Sequence, residues 1–284
     1  MSTSTVFEGL KTIHLFVRED YKTVMLPVAF LSYFATPHTT PSYYARSLLW
    51  TFLNLLYFCI CNQLFDPAED MLNKPYRPIP AGRISVDGAN RLRWAVLPLC
   101  LGISWHWGVL PQCLVMLVLG SWYNQGNLGK HWVGRQGSVA IMYGALNSGA
   151  AVVACDTCGD ALSTTYFLRH VLNSLMILTT IQAADFRDAS GDAERGRLTL
   201  PILFPQLSRE LMPALLVVWS VIVCIASTLV RTQLQAPLLV QGGFALAGLM
   251  TGMRFQLLKK PEQDRASYLW YDIWLCAAQV LTFV

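Results

Sequence analysis

A polytopic, all-α membrane bundle is the fold class that this sequence predicts, on three observations. Of its 284 residues, 54% are hydrophobic and only 13% charged, and the mean hydropathy is +0.41, beyond the range of soluble domains. Apolar runs that approach the width of a bilayer recur along the whole chain. Lys and Arg collect in alternate connections between those runs, as they do in cytosolic loops.

The chain opens with MSTSTVFEGLKTIHLFVRED, which is polar and mixed in charge where a secretory signal would be apolar; its acidic residues also argue against a mitochondrial transit peptide. Apolar runs then fall at 23–36, 46–65, 91–107, 109–123, 138–154, 166–184, 211–230, 236–253 and 267–284, predicting about nine membrane helices in a single domain over residues 1–284. The fourth run closes in SWYNQGNLGK, which brings the Tyr123 phenol and the Lys130 ammonium to the same end. Asn54, Asn147 and Asn173 lie inside runs, where polar groups find partners on neighbouring helices. Most of the eight cysteines also lie in apolar runs and read as small hydrophobes. Cys155 and Cys158 form the one CxxC, a weak zinc signal and a candidate loop disulfide.

With a cytosolic N-terminus, only Arg46, Arg169 and Arg231 of the 21 basic residues fall on the outer side, which supports both the span count and the orientation. The net charge of +4 is too small to suggest nucleic acid. The expected partner is the lipid bilayer, and no obligate protein partner is evident.

Two polar stretches interrupt this pattern. Residues 62–85, NQLFDPAEDMLNKPYRPIPAGRIS, close the second run and place Asn62, Asp66 and Asp70 at i, i+4 and i+8, near one face if helical. Crowded carboxylates need positive charge between them, and hard oxygen ligands with open positions suit Mg²⁺ shared with a substrate phosphate. Lys74, Arg77 and Arg83 follow on a loop stiffened by Pro75, Pro78 and Pro80, giving half of a diphosphate clamp. Residues 185–201, DFRDASGDAERGRLTLP, close the sixth run with Asp185, Asp188 and Asp192 at i, i+3 and i+7, interleaved with Arg187, Arg195 and Arg197. The recurrence about 120 residues apart predicts two related four-helix halves plus one added helix, with the site between the halves. The loop bases Lys130 and Arg135 and those at 254–265 read as topology. Two carboxylate clusters sharing Mg²⁺ make diphosphate a better leaving group, and an apolar helical cage shields the resulting carbocation from water. Trp50, Phe52, Tyr57, Trp94, Trp105, Trp107, Trp122, Tyr143, Phe167, Trp270 and Trp274 are available to line that cage.

Both stretches resemble the two signature motifs of the UbiA superfamily of intramembrane prenyltransferases, almost residue by residue, and the run layout extends the likeness over the chain. The resemblance implies a nine-helix bundle open laterally to lipid, in a multi-pass protein of the endoplasmic reticulum whose site faces the cytosol. It assigns Mg²⁺ binding to Asn62, Asp66, Asp70, Asp185, Asp188 and Asp192, with Asp66, Asp70, Asp185 and Asp192 as the catalytic set. Diphosphate contacts go to Arg77, Arg83, Tyr123, Lys130 and Arg197.

Within the superfamily, the NQxxDPxED wording is most similar to the fungal membrane-bound terpene cyclases, which ionise farnesyl (C15) or geranylgeranyl (C20) diphosphate and close rings on the same chain. The family's usual Asp-Lys-Pro-Ile-Gly approach to the first helix is diverged here, as REDYKTVMLP. That divergence favours a cyclase over the alternative, a transferase acting on an aromatic or quinone-precursor acceptor. A transporter with mid-membrane carboxylates is a third reading, disfavoured because the aspartates lie at run ends among arginines.

Overall fold

The computed structural model describes residues 3–36, 39–65, 67, 70–71, 74–155, 163–229 and 236–283. Among these the chain is built of helices and contains no strand, and its one parallel backbone bridge joins His131 and Leu198. The helices are α1 (Thr3–Val17), α2 (Leu26–Ala35), α3 (Pro41–Phe65), α4 (Val86–His106), α5 (Leu110–Asn124), α6 (Trp132–Ala154), α7 (Thr164–Thr180), α8 (Pro205–Leu229), α9 (Leu238–Leu257) and α10 (Pro261–Leu281).

Each of the nine apolar runs falls on one of α2 to α10. Four of these helices, α3, α6, α8 and α9, are long and apolar enough to cross a membrane by length and composition. The run from residue 23 is interrupted: a π turn over Tyr21–Met25 leads into the ten-residue α2. Helix starts follow local chemistry. Ser85 caps α4 by accepting from the Gly88 amide at 3.0 Å, with Asp87 in the first turn. Pro261 opens α10, where the Gln263 side chain accepts from the Lys260 amide at 3.2 Å.

Helix α6 is the hub, packing against α2, α3, α5 and α7. Its Gly, Ala and Ser content explains why it can take that place, since small side chains let helices approach closely. At Gly149 a Cβ would lie 2.2 Å from the Trp50 ring, and Trp50 itself is wholly buried and bonded to Ser104. Helix α10 packs on α9 and α2, which closes the bundle. The two polar stretches therefore leave from the ends of α3 and α7 toward a shared volume.

One buried ion pair ties the closing helices to the second stretch. Arg209 of α8 forks onto Asp264 of α10 at 2.9 and 2.7 Å, and its guanidinium stacks 4.6 Å over the Phe186 ring. Replacing one partner leaves an uncompensated buried charge, so Asp264→Ala should destabilise the protein by about 3–5 kcal/mol, whereas a double change to Arg209→Met with Asp264→Leu should recover most of the loss. Thermal melts of the detergent-solubilised variants measure both.

Candidate active site

A cavity of about 560 Å³ lies where the two stretches meet the bundle. Its polar end receives Asn62, Asp70, Lys74 and Arg77 from the first stretch and Arg187, Asp188, Asp192, Arg195 and Arg197 from the second. Tyr123, Asn124, Lys130 and Arg135 enter from the corner between α5 and α6. Below them the wall is apolar, formed by Leu55, Phe58, Met116, Val139, Met142 and Leu146.

In the first stretch, Asn62 sits in the last turn of α3 and donates to the Asn124 Oδ1 at 3.0 Å. Asp70 is buried and takes the Arg77 Nη1 on both carboxylate oxygens, at 2.7 and 3.0 Å. Tight turns through Pro75, Pro78 and Pro80 fold Arg77 back onto Asp70.

The second stretch is not one helix. Asp185 closes a 3₁₀ turn (Ile181–Ala184), Ala189–Glu194 is α-helical, and a further short helix begins at Leu200. Asp188 and Asp192 reach the cavity, paired with Arg187 at 3.5 Å and with Arg197 at 2.7 Å. Asp185 instead turns inward. It is 2% exposed and held by Arg135, whose Nε and Nη2 approach at 2.8 and 2.6 Å while Nη1 donates to the Tyr123 hydroxyl at 2.5 Å. Backbone bonds from Leu198 to the Lys130 carbonyl (2.7 Å) and from Trp132 to the Leu198 carbonyl (2.9 Å) stitch this stretch to the α5–α6 corner, setting Lys130 beside Arg197 in the chain pairing.

Among the described lining residues, seven basic side chains face four carboxylates, an excess that suits an anion. Burial pushes the Lys74 ammonium below its ordinary range, and the charges of Arg77 and Arg187 add to this against the pull of Asp188 and Asp70. Burial pushes the Asp185 carboxyl upward, opposed by its bond to Arg135. A crowded set of cations in low dielectric gains most when a polyanion enters it.

Residues 24–275 match the UbiA prenyltransferase family. The chain belongs to this family. Among its curated relatives is the fumagillin beta-trans-bergamotene synthase of Aspergillus fumigatus, 27% identical over 276 residues that cover 96% of this chain and 91% of the relative. A somaliensene A/B synthase of Streptomyces somaliensis is 31% identical over 208 residues, 70% of this chain and 67% of that one. The fold is shared with a UbiA homolog from Archaeoglobus fulgidus bound to GPP and Mg²⁺, at a TM-score of 0.67 and 13% identity, covering 96% of this chain and all of the other.

A UbiA-family site implies a metal, and the residues here fit one. The donors are hard carboxylate and amide oxygens, and the buried Oδ2 of Asp192 has no hydrogen-bond partner. Among the described residues, three acidic, Cys or His side chains do not converge closely enough to hold an ion by themselves. Mg²⁺ binds through one or two carboxylates and completes its shell with water and substrate phosphate, a demand that hard oxygen donors of this kind meet. Asn62, Asp70, Asp188 and Asp192 are the described candidates; Asp66 lies outside the described residues.

Several expectations are corrected by this UbiA-family fold. Arg83 does not reach the cavity: beyond the left-handed Gly82 (φ +66°) the chain reverses into α4, and Arg83 bonds Glu8 at 2.5 Å and Thr12 at 3.3 Å on α1. Asp185 is not among the cavity-lining residues: it follows the 3₁₀ turn Ile181–Ala184 and is buried against Arg135, although the charges of Asp188 and Asp192 still reach it. Of the aromatics considered for lining, only Tyr143 lines the cavity. Trp50 packs on Gly149, while Trp94, Trp105, Trp122 and Phe167 point outward. Phe58, Phe65, Tyr123 and Tyr268 complete the aromatic lining. Cys59, Cys61, Cys100, Cys113, Cys224 and Cys276 are free thiols, and Cys158, the other half of the CxxC, lies outside the described residues.

Sequence reasoning missed Arg135, Arg187 and Asp20 as lining residues. Arg135 was read as a topology charge, although its place inside the first turn of a membrane helix, rather than in the loop, was an available signal. Since Arg135 bridges Asp185 and Tyr123 with a planar fork that an ammonium cannot reproduce, Arg135→Lys should lower kcat/KM for diphosphate release about 10- to 100-fold. Circular dichroism should show its helix content unchanged.

Proposed function

We propose that this UbiA-family chain is a terpene cyclase that ionises an allylic prenyl diphosphate of C15 or C20 length and closes rings on the same chain. It does so with Mg²⁺, in the endoplasmic reticulum membrane, with the polar end of the cavity toward the cytosol. The observation that carries this reading is the convergence of two stretches, more than a hundred residues apart, on one cavity with a cationic end and an apolar body. The name of one relative supports cyclisation: a diterpene cyclase of Hericium erinaceus is 27% identical over 269 residues, 90% of this chain and 82% of that one.

In this mechanism Arg77, Lys130 and Arg197 take diphosphate oxygens, and Lys74 adds a buried point charge. Asp70, Asp188, Asp192 and Asn62 would hold Mg²⁺, which when bound draws charge from the diphosphate and makes it a better leaving group. Arg77 and Arg197, now paired with Asp70 and Asp192, exchange one anion for another as metal and substrate enter. Arg135 positions Tyr123 at the same end. Leu55, Met116, Val139, Met142 and Leu146 exclude water from the ionised chain, and the faces of Phe58 and Tyr143 offer negative π density to the cation. A cavity of this size is within the ordinary range for one small ligand.

Microsomes containing the protein, given only Mg²⁺ and farnesyl or geranylgeranyl diphosphate, should form a cyclic hydrocarbon detectable by gas chromatography. Product that appears only when a phenolic acceptor is added would replace this reading with a transferase. Chelation by EDTA should stop diphosphate release and added Mg²⁺ should restore it. Asp70→Ala and Asp192→Ala should each reduce release by about 100-fold or more, consistent with several kcal/mol of lost charge stabilisation, while the protein still accumulates.

A further inference from the structure

Of the four carboxylates among the described lining residues, three are neutralised by arginine: Asp70 by Arg77, Asp188 by Arg187 and Asp192 by Arg197. The fourth, Asp20, pairs with no Lys or Arg among the described residues. It accepts one weak bond, from the Cys59 thiol to Oδ2 at 3.2 Å. Asp20 stands at the start of the π turn Tyr21–Met25, a geometry that recurs at functional sites. The turn is pinned from two sides, because the Tyr143 hydroxyl donates to the Thr23 carbonyl and the Tyr268 hydroxyl to the Thr23 Oγ1 at 3.4 Å. Asp20 is therefore held against the cavity with no ion pair among the described residues, its charge meeting that of Arg77 only across a longer gap.

Its depth follows from its partner. On α3, Asn62 marks the polar end and Leu55 the apolar body. Cys59 lies three residues before Asn62, so the group bonded to Asp20 is about 4.5 Å further along the helix axis toward the apolar body. A diphosphate held at the level of Asn62 and Asp70 places the first carbons of its prenyl chain at the level of Asp20.

From this geometry we infer that Asp20 is the base that ends the cyclisation, an assignment that rests on the cyclase reading above. The diphosphate departs with the electron pair of the C1–O bond, and ring closure leaves a carbocation on the hydrocarbon. A C–H bond beside the cationic carbon then breaks. Its electron pair becomes the π bond of the new alkene, and the proton passes to a carboxylate oxygen of Asp20, which becomes a neutral acid. A carboxylate that no described Lys or Arg bonds directly, at the wall of a cavity with an apolar body, is the group a cation should lose its proton to. The arginine-bound carboxylates are poorer acceptors, since protonating them would strand a buried guanidinium.

The test compares wild type, Asp20→Asn and Asp20→Glu with Mg²⁺ and farnesyl or geranylgeranyl diphosphate, reading diphosphate release and hydrocarbon products separately. Asp20→Asn should keep release within about 3-fold of wild type while the share of the wild-type alkene falls about 10-fold or more, replaced by alcohols or by alkenes with a shifted double bond. Asp20→Glu should restore deprotonation with an altered ratio of products. It also reports in place of Asp20→Asn should that variant not accumulate. An unchanged product ratio in the variant that accumulates overturns the assignment while leaving the cyclase reading intact. Loss of diphosphate release in parallel with Asp70→Ala also overturns it, placing Asp20 with the metal ligands instead. If wild type yields nothing without an acceptor, the cyclase reading and the assignment fall together.

Discussion

Charge in a space that excludes water is the constraint from which the architecture of this protein follows. Isolated carboxylates and guanidinium groups could not be held at the end of an apolar bundle, because each would lose its hydration without replacement. Here Asp70, Asp185 and Asp192 are almost fully buried, and each is met by an arginine. These pairs let the site fold before any substrate arrives. Among the described lining residues the basic side chains outnumber the carboxylates, a balance that favours an entering anion.

The rest of the fold supplies the positions at which those charges meet. Small residues on α6 allow it to run through the centre of the bundle, and Gly149 in particular makes room for Trp50. The backbone bridge between His131 and Leu198 couples the α5–α6 corner to the second stretch, so Lys130 and Arg197 cannot drift apart independently. Phe186 is wedged between Arg209 and Phe255, which anchors the turn that carries Asp185, Arg187 and Asp188. Asp185 then acts at one remove. It orients Arg135, and Arg135 in turn orients the Tyr123 hydroxyl at the cavity wall.

Much of this was legible in the chain itself. Apolar runs located the helices because burial in lipid or in a helical core leaves the same mark on sequence. Asn62, Asp70, Arg77, Asp188, Asp192 and Arg197 stood out by type and spacing, Tyr123 and Lys130 were given their role by the family resemblance, and all eight line one cavity. The exceptions have physical causes. Asp185 and Asp192 were grouped by their spacing, but a turn over residues 185–188 precedes the short helix that carries Asp192, and Asp185 is taken by Arg135. Arg83 lies only six residues beyond Arg77, yet the positive φ of Gly82 sends it to α1. Tryptophans looked like cavity lining because their chemistry suits a cation, but large rings also suit packing and lipid contact, and composition does not distinguish the two.

The sequence by itself determined the class of fold, the family and the two polar stretches, because hydropathy and short-range spacing are properties of neighbouring residues. Only the tertiary structure decided which carboxylates have an arginine partner, which arginine reaches the cavity, and that Asp20 stands beside Cys59 with no ion pair among the described residues. Those facts depend on contacts between residues dozens of positions apart. Such contacts are set by how helices pack and where turns reverse the chain, and no local pattern encodes them.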